Sequence, residues 1–267
     1  MKVGLIGYGT IGRTLADAIR SGAAGDVTLV AVLDIFEASP FSGQPGEPAY
    51  TTDADAFLAR DTDLVIEAAS QAVLRKFAAQ VLAAGKDLLA MSVGTFADVD
   101  FLEQMRELAE RHGRRIYLPA GAIGGLDALS AAAIDEIDEV VLTTTKPPAG
   151  LQSVGLEPAV DLSTITEPTC IYEGPAVEAV KRFPKNVNVA AALSLAGIGV
   201  HKTRVRIVAD PASTSNTHRV EARGRFGQFS MELRLLPSPT NPRTSYLASL
   251  SAIRMLRKLT EPIRIGG

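Results

Sequence analysis

The stretch Gly7-Tyr8-Gly9-Thr10-Ile11-Gly12 constrains this chain most, because of what stands on either side of it. The apolar run Val3-Gly4-Leu5-Ile6 before it reads as a buried strand. Ile11, Leu15, Ala18 and Ile19 then recur at helical spacing. A second apolar run over 27–33 ends in Asp34, about twenty residues past the last glycine. Strand, glycine loop, helix, strand and acidic residue in that order make a unit that cradles a dinucleotide. Gly7 allows a tight turn, Gly9 lets a pyrophosphate approach bare backbone, and Gly12 lets the helix lie close to the strand. The N–H groups around Thr10 and Ile11 and the helix dipole then face the phosphates. A carboxylate at Asp34 can accept from both ribose hydroxyls and would repel a 2′-phosphate, which favours NAD. The alternative is a tight turn of the same composition that holds no phosphate.

The alternation continues. A Pro/Gly-rich loop over 40–48 is followed by a strand over 63–69 and a helix over 71–84 that stops at Gly85. Then come a strand over 88–93, a helix whose N-cap reads as Asp100 with Glu103 three residues on, and a strand from Ile116. Apolar strands alternating with helices imply a doubly wound (Rossmann) parallel sheet covered on both faces. From about residue 120 the pattern changes. A strand over 140–145 precedes the Pro147-Pro148 break, a loop-rich stretch runs to about 174, and 175–197 carries a helix or two. Three β-rich runs, 204–209, 218–224 and 229–235, predict adjacent antiparallel pairing. A last amphipathic helix is predicted over 242–259. The expected fold class is therefore α/β, with a dinucleotide-binding domain over 1–119 and an α+β domain with a mixed or antiparallel sheet over 120–241. The last helix is expected to pack back on the first domain.

Composition bounds the function classes. A net charge of −3 gives no electrostatic case for nucleic acid or an anionic membrane surface. The single Cys170 excludes an internal disulfide and a multi-cysteine metal site, so no metal is expected and a reducing compartment fits. Residues 1–6 already read as strand, so no signal peptide is expected, and the apolar stretch 188–200 is too short for a membrane span. The cytoplasm is the expected location.

Ligands of open α/β sheets sit at the carboxyl ends of the strands. That places Glu67–Ser70, including Ala69 and Ser70, and Ser92-Val93-Gly94 near the nicotinamide and its ribose. Gly121-Ala122-Ile123-Gly124-Gly125 follows another strand end and reads either as a ring-binding backbone or as a hinge. In Phe183–Ala191, Asn186 or Asn188 reads as a helix cap or as an amide for the carboxamide or substrate, and Lys185 as a partner for a substrate carboxylate. Of the three histidines, His112 ends a helix and His201 sits in a turn. His218 shares a strand face with Val220 and Ala222, so it is either a core residue or the proton-exchanging group a dehydrogenase needs.

Several segments sharpen this. Ser92-Val93-Gly94, Gly121–Leu129, Thr145-Lys146-Pro147-Pro148 and Phe183–Ala191 resemble the L-aspartate dehydrogenase family, as do Ala209-Asp210-Pro211, Asn216–Val220 and Asn241-Pro242-Arg243-Thr244-Ser245. The resemblance covers nearly the whole chain in order. It implies oxidation of L-aspartate to iminoaspartate with NAD or NADP; the imine then feeds pyridine nucleotide biosynthesis or hydrolyses to oxaloacetate and ammonia. It also implies a homodimer, nicotinamide contacts from Ala122 and Asn188, and an active-site role for His218. Two substrate carboxylates need partners; the candidates are Lys185, Asn241, Thr244 and Ser245, with Lys146 behind them. A dihydrodipicolinate- or homoserine-type reductase and a silent NAD-binding sensor stay open as alternatives.

Overall fold

A computed structural model describes residues 1–151, 161–183, 187–238 and 241–265. The chain divides into two compact units: residues 1–95, 99–119 and 249–265 form one, and 96–98 with 120–248 form most of the other.

The first unit is built on a six-stranded parallel sheet. In chain order it comprises β1 (Lys2–Ile6), α1 (Thr10–Arg20), β2 (Thr28–Leu33), β3 (Ala49–Thr51), α2 (Ala54–Leu58) and β4 (Leu64–Glu67), followed by α3 (Gln71–Ala83), β5 (Asp87–Ala90), α4 (Val99–His112) and β6 (Ile116–Tyr117). The strand order β3-β2-β1-β4-β5-β6 reverses direction of winding between β1 and β4. Helices cover both faces of a parallel sheet, so its inner strands are apolar throughout, and every residue of β4 is buried. On α1 the buried set Gly12, Leu15, Ala16, Ala18 and Ile19 lies at the spacing of one helical face.

The second unit contains α5 (Leu126–Ala132), β7 (Ile137–Lys146), β8 (Thr169–Pro175), α6 (Ala176–Arg182), α7 (Val187–Ala196), β9 (Arg204–Ala209), β10 (Asn216–Gly224) and β11 (Gly227–Leu235). Then follow the short pair β12 (Pro237–Ser238) and β13 (Asn241–Ser245), and α8 (Tyr246–Thr260) begins at once. Residues 249–265 belong to the first unit, where Ala252 and Leu256 are fully buried in one cluster with Val3, Leu5 and Leu15.

Several sequence expectations need correction. β9 does not pair with β10: the sheet order is β11-β10-β7-β9-β8, with β9 parallel to β7 and antiparallel to β8. The ten-residue β7, with Val140, Val141, Leu142 and Thr144 buried, takes the middle, and the 210–215 loop crosses its end, Asp210 N–H donating to the Lys146 carbonyl at 2.9 Å. Within the stretch read as loop, 169–175 is a strand. The last helix starts at Tyr246 rather than 242, because 241–245 pairs with β12. Asp100 lies inside the first turn of α4 rather than capping it. Between 48 and 63 the structure adds β3 and α2, the latter capped by the Asp53 carboxylate.

Candidate active site

In the first unit the candidate site is where winding reverses, the position at which open parallel sheets take ligands. Gly7, leaving β1, has φ +92°, a conformation that disfavours any side chain, and a Cβ there would fall 2.8 Å from Ala69 Cβ, just past β4. At Gly12 a Cβ would meet the Gly7 carbonyl oxygen at 2.0 Å, so only glycine lets α1 approach the loop this closely. Gly9 is the opposite case. It is exposed, and nothing lies within 4 Å of where its Cβ would be. The loop thus offers bare backbone to open space, which fits a pyrophosphate. The Arg13 N–H donates to the Gly9 carbonyl, so the half-buried Thr10 and Ile11, with Gly12, carry the N–H groups of the first turn, which have no partners within a helix.

Asp34, at the end of β2, is held beside this loop. One carboxylate oxygen accepts from Tyr8 N–H and the other from Ile35 N–H at 2.7 Å. Each oxygen keeps a lone pair for a ribose hydroxyl. The loop after it is anchored by Phe41, whose ring meets Tyr8 edge-on at 5.2 Å between centroids. Ala69 and Ser70 are exposed at the end of β4, with Ser70 Oγ accepting from Val73 N–H at 3.3 Å as the cap of α3.

Glu67, which the sequence marks only as the first residue of the 67–70 stretch, holds this corner together from beneath. It is 1% exposed. Its carboxylate accepts from Ala69 N–H at 2.8 Å, Ser92 N–H at 3.1 Å and Ser92 Oγ at 2.9 Å, and so ties the ends of β4 and β5 together. Burial pushes the carboxyl up, and these hydrogen bonds act in the opposite direction. The signal for such a role in the sequence is a charged residue closing an otherwise apolar strand.

In the second unit the candidate groups lie on one face of its sheet. His218 on β10 is 5% exposed, and its Nδ1 lies 2.9 Å from Oγ1 of buried Thr144, directly across on β7. Burial first, and the Lys146 charge second, lower the imidazole to about 4, so it is neutral at ordinary pH. Lys146 ends β7 two residues beyond Thr144, and burial lowers its ammonium to about 8. Across from His218 on the other side stands Leu233 of β11. The 121–125 segment packs on that strand: a Cβ at Gly124 would fall 2.5 Å from Met231 Sδ and 3.6 Å from a Leu233 methyl. Ala122, in the same segment, is 7% exposed.

Asn188 lies in the first turn of α7 and is exposed, so it is not the residue that caps this helix. Ser245 Oγ, at the end of β13, is buried without a hydrogen-bond partner among the described residues. Asn241 and Thr244 belong to β13, but their side chains lie outside the described residues, as do Lys185 and Asn186. Among the described residues no group of three or more His, Cys, Asp or Glu is placed to hold a metal ion. Among them, too, no helix is long and apolar enough to cross a membrane.

Two family models match the chain: the homoserine dehydrogenase NAD-binding domain over residues 7–119 and the aspartate dehydrogenase C-terminal domain over 127–259. An L-aspartate dehydrogenase of Methanosarcina barkeri is 43% identical over 276 residues, covering 100% of this chain and 99% of the relative. The crystal structure of aspartate dehydrogenase from Thermotoga maritima superposes with a TM-score of 0.76 at 29% identity, covering 100% of this chain and 99% of that one. A homoserine dehydrogenase from Thiobacillus denitrificans, 16% identical with a TM-score of 0.58, shares the fold alone over 97% of this chain and 73% of its own. The segment that carries His218 falls inside the aspartate-specific match, and with full-length identity above 40% this chain belongs to the L-aspartate dehydrogenase family.

Proposed function

We propose that the protein oxidises L-aspartate to iminoaspartate with NAD as acceptor. The observation that carries this is the joint occurrence, in one chain that matches the family over its whole given sequence, of an open glycine loop and a buried imidazole on the second sheet. NAD, when bound, supplies the acceptor for the hydride that leaves Cα. Gly7, Gly9, Thr10, Ile11 and Gly12 hold its pyrophosphate by main-chain N–H groups, and Asp34 holds a ribose. Ala69 and Ser70 border the same cradle. Ala122 and Asn188 contact the nicotinamide, as the family resemblance implies.

The substrate amine must lose its proton before hydride can leave, and His218 takes it. With Nδ1–H donated to Thr144 Oγ1, Nε2 keeps the lone pair that does so. Lys185, Asn241, Thr244 and Ser245 are the candidate partners of the substrate carboxylates; the orphaned Ser245 hydroxyl supports the last of them.

The finer reading includes NADP as a weaker alternative to NAD, and iminoaspartate passing to pyridine nucleotide biosynthesis or hydrolysing to oxaloacetate and ammonia. It also includes a cytoplasmic homodimer with neither nucleic acid nor membrane as partner. The negative net charge supports the last point. The outward face of the second sheet, paired as Arg219–Glu221 and Arg223–Glu139, is the surface offered for the second copy.

The test is absorbance of reduced nicotinamide on mixing protein, NAD and each of a panel of amino acids. L-Aspartate is expected to give the highest kcat/KM; tight NAD binding with no signal from any amino acid favours a sensor instead.

A further inference from the structure

The two faces of the second sheet differ sharply. One carries the ion pairs Arg204–Glu173, Arg206–Glu173 and Arg219–Glu221. On the other, the strand register sets Leu142, Thr144 and Lys146 of β7 beside Val205, Ile207 and Ala209 of β9. Val220, His218 and Asn216 of β10 continue that face, and Met231, Leu233 and Leu235 of β11 complete it. It is an apolar face with one cation and one imidazole at the carboxyl end of β7. Residues two apart on a strand point the same way, and diagonal neighbours on paired strands lie about 7–8 Å apart, within reach of a lysine. Lys146 is close enough to His218 for its charge to act on the imidazole.

We propose that Lys146 receives one carboxylate of the dicarboxylate substrate, beside His218, and that this contact also raises the basicity of His218. The proposal rests on the aspartate reading above and adds the residue that selects a second acidic group. A half-buried ammonium on an apolar face is a strong and specific partner for a carboxylate, because little water competes with it. In the free protein the Lys146 charge disfavours protonation of His218. A carboxylate on Lys146 offsets that charge, so the imidazole becomes a better base when substrate is present.

Other titratable groups lie on the neighbouring strands. The Asp210 carboxylate at the end of β9 accepts from Ala212 N–H at 2.9 Å. On β8, the Cys170 thiol donates to the Tyr172 carbonyl and the Tyr172 hydroxyl to the Pro175 carbonyl, while Glu173 is held by Arg204 and Arg206 on the opposite face. On this proposal Lys146, at the end of β7, is the group whose titration governs carboxylate binding on this face. Its charge is present below about 8 and lost above.

Succinate, a dicarboxylate without the amine, isolates this contact from the titration of the substrate amine. Calorimetric titration of succinate into the protein–NADH complex is expected to give a Kd that rises about tenfold per pH unit above about 8 in the wild type. Lys146→Met is expected to bind about 10–100-fold more weakly at pH 7 with no break near 8. Lys146→Arg retains a cation that does not titrate in this range, so it keeps affinity and loses the break. NADH affinity, read by fluorescence, stays unchanged in both variants, which shows that they fold. The acid limb of kcat/KM in Lys146→Met moves to higher pH. Succinate binding in Lys146→Met equal to wild type, the same pH break in both, or no succinate binding by a wild type that oxidises aspartate overturns the role of Lys146. A wild type that binds succinate with the expected break yet makes no NADH from L-aspartate overturns the parent reading instead.

Discussion

Gly9 and Gly12 are three residues apart, yet alanine at the two positions is expected to fail in opposite ways. At Gly12 the new Cβ would sit 2.0 Å from the Gly7 carbonyl oxygen, against a floor of 3.0 Å for real contacts. The loop and α1 must therefore part by about 1 Å, and the atom in the way is main chain, which has no rotamer to change. Overpacking of this kind costs roughly 1–3 kcal/mol, only partly offset by the better helix propensity of alanine. At Gly9 nothing lies within 4 Å and φ is −74°, a value alanine adopts without strain. Gly9→Ala is expected to leave stability unchanged or improve it by about 0.4–1 kcal/mol through the unfolded chain. Its methyl group, however, occupies the space a pyrophosphate needs. Loss of one charge-assisted hydrogen bond weakens NAD binding by about 10–100-fold. Thermal unfolding and NADH fluorescence titration read the two effects separately. Gly12→Ala should melt lower by roughly 2–4 °C per kcal/mol, while Gly9→Ala melts normally and binds poorly. A Gly9→Ala protein that binds NAD as tightly as wild type removes the pyrophosphate from this loop; an unchanged melting point for Gly12→Ala contradicts the packing argument.

His218→Ala is expected to lower kcat with aspartate by roughly 10²–10⁴-fold and leave NAD affinity nearly intact, checked by steady-state rates and nucleotide titration. Glu67→Gln sets an amide donor against main-chain N–H groups in a buried place, which costs about 1–3 kcal/mol and lowers the melting temperature. Burial raises the Glu67 carboxyl, so its titration adds stability below the ordinary value of 4.5 that is lost as pH rises through the folded value. The glutamine does not titrate, so the melting gap between the two proteins should narrow from pH 4.5 upwards. Asp34→Ser removes the charge that repels a 2′-phosphate; the NAD over NADP ratio of kcat/KM should fall about tenfold or more, equivalent to about 1.4 kcal/mol.

The parallel sheet was legible because burial on both faces makes β1, β4 and β5 short continuous apolar runs, each followed by a turn or helix signal. His218 was legible as a residue of the buried face, since β10 alternates His218, Val220 and Ala222 inside with Arg219 and Arg223 outside. β3 and α2 were not, because three- and five-residue elements are too short to show a period. The place of β9 depended on β7 lying between it and β10, and no local pattern encodes a neighbour so distant along the chain. For the same reason the partners of Glu67 and His218 were hidden: Ser92 is 25 residues from the first and Thr144 is 74 from the second. Motif spacing marked the glycine loop, but the partners of Glu67 and His218 emerged only from the fold.

Transfer of hydrogen from Cα to the nucleotide is the central claim, and isotope labelling tests it most directly. Protein, NAD and L-aspartate deuterated at Cα are incubated, and the reduced nucleotide is isolated and weighed by mass spectrometry. The account predicts NADH one mass unit heavier, with a label equivalent to the product formed. Reduced nucleotide without deuterium, or none at all while NAD remains tightly bound, contradicts it.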